Sequence, residues 1–495
     1  MMPEEETLPA QTAETKEAQP MGGTGLTLLI CAAAAAVGWT FLHWKGEFFF
    51  SDHLPGIGLT VTQWALLSAA LICAQVKGTL RWTRGGSLCL ILSILLGTCF
   101  ALFANDGLRA MNLPVTVLLS AQAVFSLTGQ IAHPPLTAAG LWDGFRLLFR
   151  TPLRHWGVPF RALSLKRKNK VGWYPVLMGL LAAIPITAVA VTLMCSADAL
   201  FESLWIEGAH AIGGLDGRFL MRLIIAFFLS LALFSFLFSA VLPPKALSPA
   251  RAPSLQPLAI AVVLAVLALL YAVFAYIQVR YLFGGVSSVR MSGGYAAYAR
   301  SGFFQLVALA GLTLALILPA LALWRDARAV RALCALVAAL TIVINASAFF
   351  RMRLYMDAYG LSTLRLLTLW AMAMILLALI AAIVKSVRPA LRICPLLAAV
   401  ALGSWIALNL CNVDRIVCRN QVRRFNEGTG DWNAIVSLRE SCTPDYLPAL
   451  AEIRDPQKRE EAIQQFTSDL LYDADRRLAY DWSLCQTLMP KVEKH

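Results

Sequence analysis

Eleven apolar runs, each about 17 to 25 residues long and nearly free of charge, recur through the first four-fifths of this chain. A run of that length buries no charge because it has a bilayer to cross, so the fold class is an all-α polytopic transmembrane helical bundle of about 11 spans. Windows of roughly 19 residues place the spans near 23–42, 56–76, 87–104, 111–132, 171–194, 220–242, 258–279, 303–324, 333–350, 366–384 and 395–410. Composition agrees, with 58% hydrophobic residues and only 14% charged ones.

The organisation follows from the gaps between runs. Residues 1–22 are acidic and polar and are expected to form a disordered cytoplasmic tail. They lack the basic start of a secretory signal, so the first span is expected to act as an uncleaved anchor. Spans 1–4 cover 23–132, a basic segment fills 133–170, spans 5–11 cover 171–410, and a helical domain occupies 411–495. Counting Lys and Arg, the loops on the side of the N-terminal tail hold 19 and the opposite loops 9. The positive-inside rule therefore predicts a cytoplasmic N-terminus and, with eleven spans, an extracytoplasmic C-terminal domain.

The segment 133–170 reads as an amphipathic helix at the headgroup layer. Leu141, Phe145, Leu148, Phe149, Leu153 and Trp156 follow helical spacing, while Arg146, Arg150 and Arg154 repeat every fourth residue. Trp142 and Trp156 are expected at the membrane interface, and Pro152 is expected to interrupt the helix. The same charges can also serve topology alone. The C-terminal domain holds 12 basic against 14 acidic residues, so the net charge of +13 comes from the membrane loops, and a nucleic-acid partner is not expected.

Within that domain Asp455 reads as an N-cap and Pro456 as the first turn of a helix, with shorter helices over 414–426, 432–440 and 445–453. Cys411, Cys418, Cys442 and Cys485 lie in this polar region, where an oxidising compartment permits one or two disulfides. Their spacing contains no metal-ligand pair, and no metal or cofactor is expected.

Catalytic motifs are absent. There is no phosphate-binding loop, no HExxH, no GxSxG in a strand-turn-helix setting and no dinucleotide fingerprint, and the six histidines are scattered. The predicted spans contain no Asp or Glu, which weighs against cation-coupled transport, and Arg222 near one span end is their one charged residue. Gln63, Gln122, Asn345 and Asn409 are expected to bond helix to helix.

Three polar boxes share the predicted outer face: "CSADALFESLWIEGAH" (195–210), "YLFGGVSSVRMSGGYAAYARSGFFQL" (281–306) and "RMRLYMDAYGLSTLR" (351–365). Arginine forks grip phosphate or carboxylate, and tyrosines beside them stack on a sugar or cover an acyl chain. Arg300, Arg351, Arg353 and Arg365, with Tyr298, Tyr355, Tyr359 and Asp357, are therefore candidates for an outer-face site for an anionic lipid or lipid-linked glycan headgroup. As anchors and ion pairs the same residues would be purely structural.

These boxes resemble those of a bacterial polytopic membrane family catalogued as domain of unknown function 4173, with a close relative numbered 4153. After the last span, "NVDRIVCRNQVRR", "GDW" and "DYLPAL" resemble that family's Asn-x-Asp, Asn-x-x-Arg and Asp-x-x-Pro-Ala-Leu pattern. The resemblance runs from about residue 195 to 450, and the chain departs from it in the tail cysteines and in its ending, "YDWSLCQTLMPKVEKH". It implies a fold without a function. Three functional classes follow: a non-enzymatic sensor or scaffold whose C-terminal domain meets a ligand or protein partner, a transporter or flippase of an amphiphilic anion, and a lipid-modifying enzyme using Asp357, Asp198 or Glu202 as base.

Overall fold

The computed structural model describes residues 23–43, 56–160, 194, 203, 217–243, 256–282, 303–441 and 443–474. Among them the regular structure is entirely helical. Ten helices among the described residues are long and apolar enough to cross a membrane, each overlaying one of the predicted spans, while span 171–194 lies almost wholly outside the described residues. The polytopic all-α expectation is thus met. The chain divides into two units.

The first unit comprises Met1–Phe41, Ser68–Gly78 and Phe149–Leu242. In its described part α1 (Gly23–Val37) packs along α6 (Gly217–Val241). The buried stripe of α1 is Gly25, Leu28, Ala32, Ala35 and Ala36, of which all but Leu28 are small residues that let a neighbouring helix come close. The turn after residue 150 is stitched to α6 by Ser235, whose hydroxyl donates to the Thr151 carbonyl at 2.6 Å and accepts from the His155 amide at 2.8 Å. Trp156 rests against Phe228 of α6, while Arg154 is exposed.

The second unit comprises Leu42–Leu67, Thr79–Leu148 and Pro243–His495. It takes the first half of α2 (Ile57–Val76), then α3 (Arg84–Leu102), α4 (Asp106–Leu127) and most of α5 (Ala138–Arg150). α7 (Pro257–Leu282), α8 (Phe303–Leu323), α9 (Arg328–Tyr359), α10 (Thr363–Val387) and α11 (Ile393–Leu410) follow. α9 is the central post, packed by α7, α8 and α10 around Leu264, Ile317, Val337, Ile344 and Leu379.

The glutamine and asparagine expectations hold as hydrogen bonds. Gln63 Nε2 on α2 donates to the Ser93 carbonyl at 2.9 Å and to Ser93 Oγ at 2.8 Å, with Ser120 Oγ at 3.2 Å. Asn345 Nδ2 reaches the Met372 carbonyl at 3.2 Å, and Asn409 Oδ1 accepts from Asn112 Nδ2 at 2.7 Å. Gln122 Nε2 holds the Pro135 and Gly140 carbonyls at 2.7 and 2.8 Å, which ties α5 to α4.

Both glutamines press their amide oxygen onto a glycine. A Cβ at Gly97 would lie 1.6 Å from Gln63 Oε1, and a Cβ at Gly144 would lie 1.6 Å from Gln122 Oε1. Neither oxygen has a conventional donor among the described residues, and each lies in the space a Cβ at its glycine would fill. Only glycine permits that approach. Gly97→Ala should therefore cost about 1 to 3 kcal/mol by overpacking, read as a lower unfolding midpoint of the detergent-solubilised protein.

After α11 come α12 (Val413–Asn426), α13 (Trp432–Val436), a one-turn α14 (Leu447–Leu450) and α15 (Pro456–Ala474). Asp455 caps α15 by accepting from the amides of Gln457 and Lys458 at 2.9 and 3.2 Å. Cys418, Val422, Ile435, Tyr446, Leu450 and Phe466 form a core of their own, with Trp432 against its edge.

Candidate functional site

The stretch 351–365 is largely helix. At 32 residues α9 measures about 48 Å, well beyond the roughly 30 Å hydrocarbon thickness. Where the sequence suggests a loop after residue 350, the helix therefore continues for nine further residues, to Tyr359, and stops at Gly360 with φ +73°. About 20 residues, the length of one crossing, counted from Arg328 end near Ala348, ahead of the half-exposed Phe349 and Phe350 and of the arginines that follow.

Helical spacing divides the expected cluster between two faces. Arg351, Tyr355 and Tyr359 recur every fourth residue, and Arg353 with Asp357 lies on a different side. Arg351 Nη2 donates to Gln278 Oε1 at 3.1 Å, and Gln278 also accepts from Ser347 at 2.7 Å. Arg365 donates to the carbonyls of Tyr359 and Gly360 at 3.1 and 2.5 Å and covers the Tyr355 ring at 4.3 Å. Both therefore bind protein oxygens. Arg353 and Asp357 are about two-thirds exposed and form a loose pair at 3.7 Å. Such a pair contributes about 0 to 1 kcal/mol. Arg300, Tyr298 and the box at 195–210 (apart from Ser203) lie outside the described residues.

The C-terminal domain closes over this helix end. Arg424 of α12 donates to the carbonyls of Asp357 and Ala358 at 2.9 and 3.1 Å, and Gln421 donates to Tyr359 and Leu361 at 3.2 and 2.8 Å. The bonds to Asp357, Ala358 and Tyr359 satisfy the last carbonyls of α9, which find no amide donor inside the helix.

Sequence reasoning missed the most buried charges. Asp414, 3% exposed, accepts from Asn105 Nδ2 at 2.5 Å and from Thr443 Oγ1 at 2.9 Å. Asn105 is also the N-cap of α4, accepting from the Leu108 amide at 2.8 Å. Asn412, left-handed at φ 50°, caps α12 through the Arg415 amide and donates to Asp445 Oδ1 at 2.8 Å. Asp445 is itself buried. One hub of carboxylates and amides thus joins α4, the start of α12 and the segment 443–445.

Below it, Arg109 is fully buried and donates to the carbonyls of Phe100 and Phe103 at 2.9 and 3.0 Å, with Asp106 at 3.7 Å. Asn112 then bridges Asn409 and Trp405, whose indole N–H donates at 2.8 Å. Hydropathy windows trim the polar first turn of a span, so the sequence reading left Asp106 and Arg109 in a loop, whereas α4 begins at Asp106. The signal was present in the Asn-x-Asp and Asp-x-x-Pro-Ala-Leu boxes, which supply Asn412, Asp414 and Asp445.

A family model matches residues 90–453, well over half of the chain and inclusive of every hub residue. The chain belongs to the family Domain of unknown function (DUF4153). This is the close relative that the boxes already indicated. No curated protein and no solved structure matches the chain. Membership of DUF4153 leaves the activity of this chain open, and its polytopic architecture rests on the ten apolar helices of its described residues.

Of the cysteines, Cys411 is exposed at the end of α11 and Cys418 faces the domain core with Sγ 3.8 Å from the Tyr446 carbonyl. The two are not bonded to each other, and Cys442 and Cys485 lie outside the described residues. Among the described residues no group of three or more His, Cys, Asp or Glu is placed to hold a metal ion.

Burial raises the Asp414 carboxyl from 3.8 to about 6, the Asp445 and Asp106 carboxylates add to the rise, and the Thr443 and Asn105 donors oppose it. The folded state therefore prefers this group neutral. Its stabilising protonated form is fully populated below the unfolded value and is lost as pH rises through about 6. Stability should rise by about 1 kcal/mol on going from roughly pH 7.5 to 5 by this linkage, and Asp414→Asn should flatten that profile in thermal unfolding of the purified protein.

Proposed function

We propose that this protein is a non-enzymatic sensor, scaffold or regulatory protein of a bacterial inner membrane, with a cytoplasmic N-terminus and an extracytoplasmic C-terminal domain. At the C-terminal end of α9 it would bind the headgroup of an anionic lipid or lipid-linked glycan. The observation that carries the reading is Arg353, exposed beside a weakly held Asp357 near the end of a 32-residue helix, a length that would carry it past the hydrocarbon layer. Tyr359, also exposed, offers a ring for a sugar or an acyl chain. Arg351 supports the site by tying the helix to Gln278 of α7, and Arg365 by bonding the carbonyls at its end.

The Lys and Arg bias of the loops supports the orientation, and the separate apolar core of the C-terminal domain supports a partner-binding role for it. The same docking of α12 onto the end of α9 would let an occupied headgroup site be felt in that domain. A lipid-modifying role for Asp357 has less support, because its carboxylate is two-thirds exposed and paired loosely with Arg353.

Native mass spectrometry of the full chain in mild detergent tests this reading. A defined phosphate- or sugar-bearing adduct is expected on the wild type, reduced about tenfold by Arg353→Ala and largely kept by Arg353→Lys, as one lost charge-assisted contact implies. An adduct that ignores Arg353 would remove the site.

A further inference from the structure

At the other end of α4, helix α5 presents a second, independent surface. Its inner stripe is Gly140, Gly144 and Leu147, drawn against α4 by the Gln122 amide. Its outer stripe carries Trp142, 60% exposed, and Phe145, 45% exposed, stacked at 5.9 Å between centroids. Arg146 and Arg150 are exposed alongside them. The one acid of the helix, Asp143, is mostly buried and bonded to His133 at 2.9 Å, so the charge that α5 shows outward is positive.

Depth distinguishes the occupant of this face. Gln122 lies five residues before the last residue of α4, so α5 is held about 7 Å inside the end of that helix. Interfacial helices sit about 5 to 10 Å into the boundary between headgroups and acyl chains. At the same end of α4, the Leu127 carbonyl accepts from the Arg81 amide at 2.6 Å, and beside it Trp82, 65% exposed, is flanked by exposed Arg81 and Arg84. A surface reserved for a soluble acidic protein would stand clear of that depth.

We infer that α5 is an anionic-phospholipid-reading helix, with Trp142 and Phe145 entering the acyl boundary and Arg146 and Arg150 pairing with lipid phosphates. The glycine stripe makes it a fixed element of the bundle. It therefore reports the charge of the bilayer at a constant depth, with no need to bind and release.

Hydrogen exchange of the full-length protein in nanodiscs tests the inference, with phosphatidylcholine alone compared against a phosphatidylcholine and phosphatidylglycerol mixture. Peptides covering 138–150 are expected to exchange on the order of tenfold more slowly in the anionic discs, the scale of two basic residues near a charged surface. Arg146→Glu/Arg150→Glu should abolish that difference. Trp142→Ser/Phe145→Ser should speed exchange in both lipids, and α9 peptides should stay unchanged in all variants as the folding control. Equal exchange of the wild type in the two lipids would overturn the inference. So would fast exchange in both, the behaviour of a helix kept for a soluble acidic partner.

Discussion

Where a chain has no water to fall back on, each buried polar group needs a partner from the chain itself, and the hub around Asp414 is where this protein meets that demand most expensively. A carboxylate moved out of water costs several kcal/mol unless hydrogen bonds or a proton compensate it. Asn105 and Thr443 supply the bonds, from a membrane helix and from the C-terminal domain respectively. The position of α12, and with it the cap over the end of α9, depends on those bonds. Asn105 does double service, because the same side chain also caps α4.

The rest of the second unit extends that economy into the apolar layer. Apolar burial alone does not select one arrangement of helices in lipid, where tails are as apolar as leucine. Directional amide contacts do. Gln63, Asn112, Gln122 and Asn345 each donate across to another segment, and two of them use glycines to accommodate an oxygen that no conventional donor reaches. These contacts fix register at the expense of tolerance to substitution at Gly97 and Gly144.

Charge at the two ends of the second unit has distinct physical roles. At the α9 end, arginines are divided between closing a helix terminus, as Arg365 and Arg424 do, and facing outward, as Arg353 does. At the α5 end Asp143 is mostly buried and bonded to His133, and Arg146 is left exposed. One end is thus built around a buried, protonatable hub and the other around an open basic and aromatic face.

Length and composition by themselves determined the class, the positions of ten spans and most of the C-terminal helices, because hydrophobic length and capping residues such as Asp455 act locally. The four span amides were also legible as groups that hydrogen-bond between segments, since few other roles are open to them in lipid. Two things were decided only by the tertiary structure. The stretch 351–359 became helix, which separated Arg351 from Arg353, because the carbonyls at its end find Arg424 and Gln421 from a segment about 60 residues away. Asp414 became a buried, proton-preferring group for the same reason: its partners Asn105 and Thr443 lie 309 and 29 residues distant, and the cost of burying a charge depends on neighbours that only folding assembles.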